Sequence, residues 1–142
     1  MNNPIDPKTR IIFLDMDGVM NHREYFRIAK NEDEPDPIDP ECVKNLNTII
    51  EATDAKVVIS STWRMFYNIE AMQALLDRKG FKGEVIGETP DVYSNHKYNA
   101  PRGCEIADWI KDNIKRDNIG DTIGFTYRRF IILDDDSDML LS

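Results

Sequence analysis

The sequence predicts an α/β fold, a Rossmann-like three-layer sandwich with a mainly parallel central sheet. Three observations predict it. Short apolar runs, RIIFL from residue 10, AKVVI from 55 and RFIIL from 129, alternate with segments of helical periodicity. Each run ends abruptly in polar residues: Asp15 and Asp17, then Ser60, Ser61 and Thr62, then Asp134, Asp135 and Asp136. Strands that alternate with helices form βαβ units, whose parallel strands bring their carboxyl ends to one edge, where ligands bind. The order of elements therefore predicts that Asp15, Asp17, Ser60, Ser61, Asp134 and Asp135 converge.

Residues 1–9 are polar, carry Pro4 and Pro7, and read as a loose lead-in. The first strand covers residues 10–15, where Ile11, Ile12, Phe13 and Leu14 leave no polar face, the mark of a strand buried on both sides. In extended backbone Asp15 and Asp17 point the same way, with Met16 turned aside and Gly18 as the hinge out. Two like charges at the mouth of an apolar strand need compensation, which a hard divalent cation such as Mg2+ supplies; a solvated Asp-Gly turn is the plainer alternative. Residues 20–40 are too long for an ordinary connection and read as a flap, with Tyr25, Phe26 and Ile28 as their bulky apolar residues before an acidic, proline-rich end. Asp39 then Pro40 is an N-cap followed by a first-turn proline, and Val43, Leu46, Ile49 and Ile50 give the helix that follows one apolar face to about residue 52.

The second strand spans residues 55–59. Its polar end, Ser60 to Thr62, either faces a ligand or caps the next helix. Ile69, Met72, Leu75 and Leu76 mark a second helix that stops at Gly80, and residues 81–86 hold a weak third strand. Residues 87–101 read as loop. Arg102 opens a third helix with Ile106, Trp109, Ile110 and Ile114 on its apolar face, and residues 129–133 form the last strand.

A chain of 142 residues reads as one domain over residues 1–142. A net charge of -8 argues against a broad basic footprint on nucleic acid, although a phosphorylated end remains a conceivable substrate. Cys42 and Cys104 lack the spacing of a disulfide framework or a zinc site and read as buried thiols in a reducing compartment. Without a secretory segment or an apolar run of about 18 residues, the expectation is a soluble cytoplasmic protein with no membrane partner. His22 and His96 read as ordinary polar residues, His22 with a candidate substrate contact, and Trp63 and Trp109 as packing residues. The DDDSD run from residue 134 lacks the glycine and distal glutamate of an EF-hand calcium loop.

DMDGV at residues 15–19, a serine after the second strand, a basic residue opening a later helix and paired aspartates after the last strand together resemble the haloacid dehalogenase (HAD) superfamily of aspartate-nucleophile phosphatases. More narrowly, SSTWR, RGCEIADWI and ILDDDSDM look like the small capless members associated with RNA repair, similar to the phosphatase half of polynucleotide kinase-phosphatases. The resemblance implies that Asp15 is the nucleophile, that Asp17 is the general acid and base, and that Ser60 or Ser61 donates to a phosphoryl oxygen. It implies that Arg102, with Lys97 as fallback, neutralises the transferring group. Mg2+ would lie among Asp15, the Asp17 carbonyl and Asp134 or Asp135, with Asp138 as an alternate ligand and Asp136 solvated. Arg64 would hold a second phosphate or a nucleic-acid end, or lie solvated.

No large cap fits in this chain, so the site is expected to be open. Openness favours substrates larger than free metabolites, such as a nucleic-acid terminus or a phosphoprotein, and the resemblance implies a 3'-phosphorylated RNA or DNA end as the leading one; the alternatives are a nucleotidase acting on free mononucleotides and a catalytically weak metal- or partner-binding module. Relatives of this type usually continue beyond the last aspartates, so the expectations at Ser142 are a naturally minimal chain, a truncated one, or one completed by a protein partner.

Overall fold

The structure, a computed structural model, describes residues 4–29, 38–90, 102–115 and 129–135. Its strands β1 (Ile11–Leu14), β2 (Lys56–Ile59), β3 (Val85–Glu88) and β4 (Phe130–Leu133) form one parallel sheet in the order β3-β2-β1-β4. Helices α1 (Arg23–Ala29), α2 (Pro40–Thr53), α3 (Ile69–Asp77) and α4 (Arg102–Asn113) connect them. The α/β, Rossmann-type fold expected from the sequence is the fold observed.

Every residue of β1 is buried because its two faces meet different layers. Ile12 and Leu14 pack with Val43, Leu46 and Ile50 of α2 and Met72, Leu75 and Leu76 of α3. Ile11 and Phe13 belong to the opposite layer with Ile106 and Trp109 of α4, where the Phe13 ring meets Trp109 edge-on at 5.5 Å. Full burial of each such side chain contributes about 1.5–3 kcal/mol, so β1 anchors both layers at once.

From β1 the sheet grows through β2 to β3 with α2 and α3 on one face, and α4 then carries the chain across the other face to β4. The direction of growth therefore reverses between β1 and β4. In open α/β sheets the crevice outside the carboxyl ends at such a reversal is where ligands bind.

The caps follow the sequence closely. Asp39 caps α2, its side chain accepting from the Glu41 N–H, and Asn68 caps α3 by accepting from the Ala71 N–H at 2.8 Å. Three expectations need correction. The third strand lies at Val85–Glu88 rather than 81–86, because Phe81 is a core plug tied back to α3, its N–H donating to the Leu76 carbonyl at 3.1 Å. The flap region holds the seven-residue α1, too short to show a helical period, with Glu24 and Arg27 paired on its outer side. The lead-in is also tied down: the Ile5 N–H donates to the Asn113 carbonyl at 2.8 Å and the Lys115 N–H to the Ile5 carbonyl at 2.7 Å. Among the described residues no helix is long and apolar enough to cross a membrane.

Candidate active site

Strand register assembles the site. Leu14 lies opposite both Ile59 and Leu133. The next residues out, Asp15, Ser60 and Asp134, thus leave three adjacent strands at one level. The ladder continues one step past the strands, with the Asp15 N–H donating to the Leu133 carbonyl at 2.9 Å and the Ser60 N–H to the Leu14 carbonyl at 2.8 Å. Asp15 is only 6% exposed, and one of its oxygens accepts from the Met16 N–H at 2.9 Å.

Oxygens of Asp15, Asp134 and Asp135 lie within 4.8 Å of one another. Three carboxylates this close repel strongly unless a cation neutralises them, and an all-oxygen donor set suits a hard ion such as Mg2+. Asp17 stands apart from that group. A turn covers residues 17–20, where the Val19 and Met20 N–H groups both donate to the Met16 carbonyl, so Asp17 sits on it. The same-side argument for extended backbone therefore does not apply to it. Its carboxylate accepts from Asn21 Nδ2 at 3.3 Å, while Asn21 Oδ1 accepts from the Gly18 N–H at 3.0 Å. Asn21, almost fully buried, is a site residue that the sequence reading missed; its position four residues after Asp17 was the available signal.

Gly18 has a second task. Its φ of +82° lies in the left-handed region, and a Cβ there would run into the Asp135 carboxylate. Gly18→Ala is therefore expected to destabilise the fold by about 1–2 kcal/mol from the backbone alone, and to displace Asp135, in a urea unfolding series.

The two serines divide. Ser61 Oγ caps the 3-10 turn Thr62–Met65 by accepting from the Trp63 N–H at 3.2 Å. Ser60, buried, occupies the level of Asp15. Arg64, on the same turn, is not solvated: its guanidinium donates to Glu105 at 2.9 Å and to the Ser61 carbonyl at 2.8 Å, with the side chain 6% exposed. Glu105, on the first turn of α4, is a further residue missed from sequence. A cleft of about 540 Å³ opens beside Arg64, lined also by Met65, Glu88, Thr89 and Trp109. Burial pushes the Glu88 carboxyl up, and Arg64 opposes that shift.

Arg102 begins α4, placing its backbone at the carboxyl edge of the sheet. Its side chain, and Lys97, Asp136 and Asp138, lie outside the described residues. Trp109 is buried in the α4 layer and Trp63 packs against the α2 layer, as packing residues do. Cys42 and Cys104 are half-buried. Burial, followed by the neighbouring Asp39 carboxylate, pushes the Cys42 thiol up, which makes it a poor nucleophile.

A parallel sheet that reverses at β1, with a buried aspartate just past that strand, a serine beside it and two aspartates after the last strand, defines a HAD-like domain. The chain belongs to the family of HAD domains in Swiss Army Knife RNA repair proteins, whose family model matches residues 11–141. No curated protein and no solved structure matched the chain. Membership implies a phosphatase-type hydrolase, and HAD domains typically use Mg2+.

Proposed function

We propose that the domain is a Mg2+-dependent phosphomonoester hydrolase that works through an aspartyl-phosphate on Asp15, with the 3'-phosphorylated end of a nucleic acid as its leading substrate. The observation that supports this best is the placement of Asp15, buried at the sheet's reversal point with the Asp134 and Asp135 carboxylates beside it. The substrate class rests on the RNA-repair family to which the chain belongs.

When bound among Asp15, the Asp17 carbonyl, Asp134 and Asp135, Mg2+ would neutralise the carboxylates and a phosphoryl oxygen. Asp15 supplies a carboxylate oxygen that needs no deprotonation to attack phosphorus. As the Asp15–phosphorus bond forms, the bond to the leaving oxygen breaks, and Asp17 gives that oxygen its proton. Asp17 then takes a proton from water, the water oxygen attacks phosphorus, and cleavage of the aspartyl-phosphate releases inorganic phosphate and restores Asp15. The Asn21 amide holds Asp17 on its turn. Ser60, buried at the level of Asp15 just past the neighbouring strand, is the better placed hydroxyl to donate to a phosphoryl oxygen, and Arg102, which opens α4, or Lys97 would supply the positive charge. Glu105 and the Ser61 carbonyl hold the Arg64 guanidinium beside the cleft, where a second phosphate would meet it. The Glu88 and Asp112 carboxylates in the adjoining cleft oppose a polyphosphate chain running through it, which favours recognition of a terminal phosphate.

Phosphate release from a 3'-phosphorylated oligonucleotide, a mononucleotide and an aryl phosphate, each with Mg2+ or EDTA, tests this reading. Mg2+-dependent release, fastest from the oligonucleotide, is the expected result. Preference for the mononucleotide would make the domain a nucleotidase. Absence of release from all three by folded protein would make it a binding module.

A further inference from the structure

We propose that His22, Asp39 and Cys42 form a second metal site, for a borderline transition cation of the zinc class, at the base of the segment that joins β1 to α2. An imidazole nitrogen, a carboxylate oxygen and a thiol sulfur from these residues lie within 4.8 Å of one another. A tetrahedral ion with bonds of about 2.0–2.3 Å sets its donors about 3.3–3.8 Å apart, so small side-chain rotations bring the three into range. A water would complete the shell.

The donor chemistry separates this cluster from the catalytic one. Asp15, Asp134 and Asp135 offer oxygen alone, which suits Mg2+, whereas nitrogen, sulfur and one oxygen suit zinc or cobalt. Asp39 is already held for the purpose. It is buried, its Oδ1 accepts from the Glu41 N–H at 3.0 Å, and its Oδ2 faces His22 Nε2 at 3.0 Å. His22 Nδ1 accepts from the Tyr25 N–H at 3.3 Å, so the ring now carries its proton on Nε2. A cation takes the place of that proton, and the ring proton moves to Nδ1 at the loss of one long hydrogen bond; the thiol proton passes to solvent.

Position gives the site a purpose. His22 and Asp39 are 17 residues apart and bracket α1 and the residues after it, while the Asp39 N–H donates to the Met20 carbonyl at 2.8 Å. A metal there clips both ends of that segment, an arrangement that stabilises by closing a loop. His22 also follows Asn21, which holds Asp17 and Gly18, so the clip steadies the turn beside the catalytic carboxylates. The sequence concealed this because only Asp39 and Cys42 are close in the chain.

Cobalt titration of the full chain, with excess Mg2+ to saturate the oxygen site, tests the proposal. Sulfur-to-cobalt charge-transfer absorption should grow to one equivalent, persist in Cys104→Ser, vanish in Cys42→Ser, and need at least about tenfold more cobalt in His22→Ala. Far-UV circular dichroism checks that each variant is folded. A saturating titration with no sulfur absorption, or absorption that survives Cys42→Ser, overturns the site. Neither outcome depends on phosphatase turnover.

Discussion

If Asp15 is the nucleophile proposed above, Asp15→Asn is expected to lower phosphate release by about 10⁴-fold or more, because removing a covalent nucleophile eliminates the pathway rather than slowing one step of it. The fold should survive. Asparagine has nearly the shape of aspartate, and its side-chain oxygen can still accept from the Met16 N–H that Asp15 engages. The substitution also removes one of three clustered negative charges, so the variant should unfold at the same or a slightly higher temperature than the parent in EDTA. Mg2+ should stabilise the parent more than the variant, since at a given concentration the ligand stabilises more the fold that binds it more tightly. Thermal melts with and without Mg2+, beside single-turnover phosphate release, measure both effects. Full activity in a folded variant would remove Asp15 as the nucleophile.

The parts of this site that were legible in the sequence are those that the period and direction of the strands dictate. A short apolar run without a polar face reads as a strand inside a sheet, and parallel strands bring their carboxyl ends to one edge, so element order alone aligns Asp15, Ser60 and Asp134. Caps at Asp39 and Asn68 are local chemistry, although the sequence pattern marks only the first. What was hidden depends on contacts between elements distant in sequence or on backbone departing from regular geometry. Asp17 lies off the extended line because the chain turns from residue 17 onward. The Asp135 carboxylate lies against Gly18, a pairing that no sequence period encodes. The strand at 85–88 was displaced in the reading because Phe81 has the composition of a strand residue but serves as a plug under α3. Arg64 has the look of a surface arginine in sequence; its partner is 41 residues away.

That partner carries the other large effect. Glu105→Ala is expected to destabilise the domain by about 3–5 kcal/mol, since it leaves a guanidinium that is 6% exposed without its carboxylate. The pair itself need not be stabilising. Two ions lose so much hydration on burial that a well-packed apolar pair of similar volume often does as well or better. Arg64→Met combined with Glu105→Leu should therefore recover most of the stability that Glu105→Ala loses, as read from urea midpoints at constant slope. Activity separates structure from positioning. Arg64 also grips the Ser61 carbonyl, next to Ser60, and Glu105 lies one turn into the helix that Arg102 opens, so the ion pair ties the serine side of the site to α4. If that tie sets the catalytic geometry, the doubly substituted protein will be stable yet slow, with kcat reduced about tenfold to a hundredfold and KM little changed, because misplacement by about 1 Å is enough for such a loss. Equal stability with undiminished kcat would make the pair a packing feature alone.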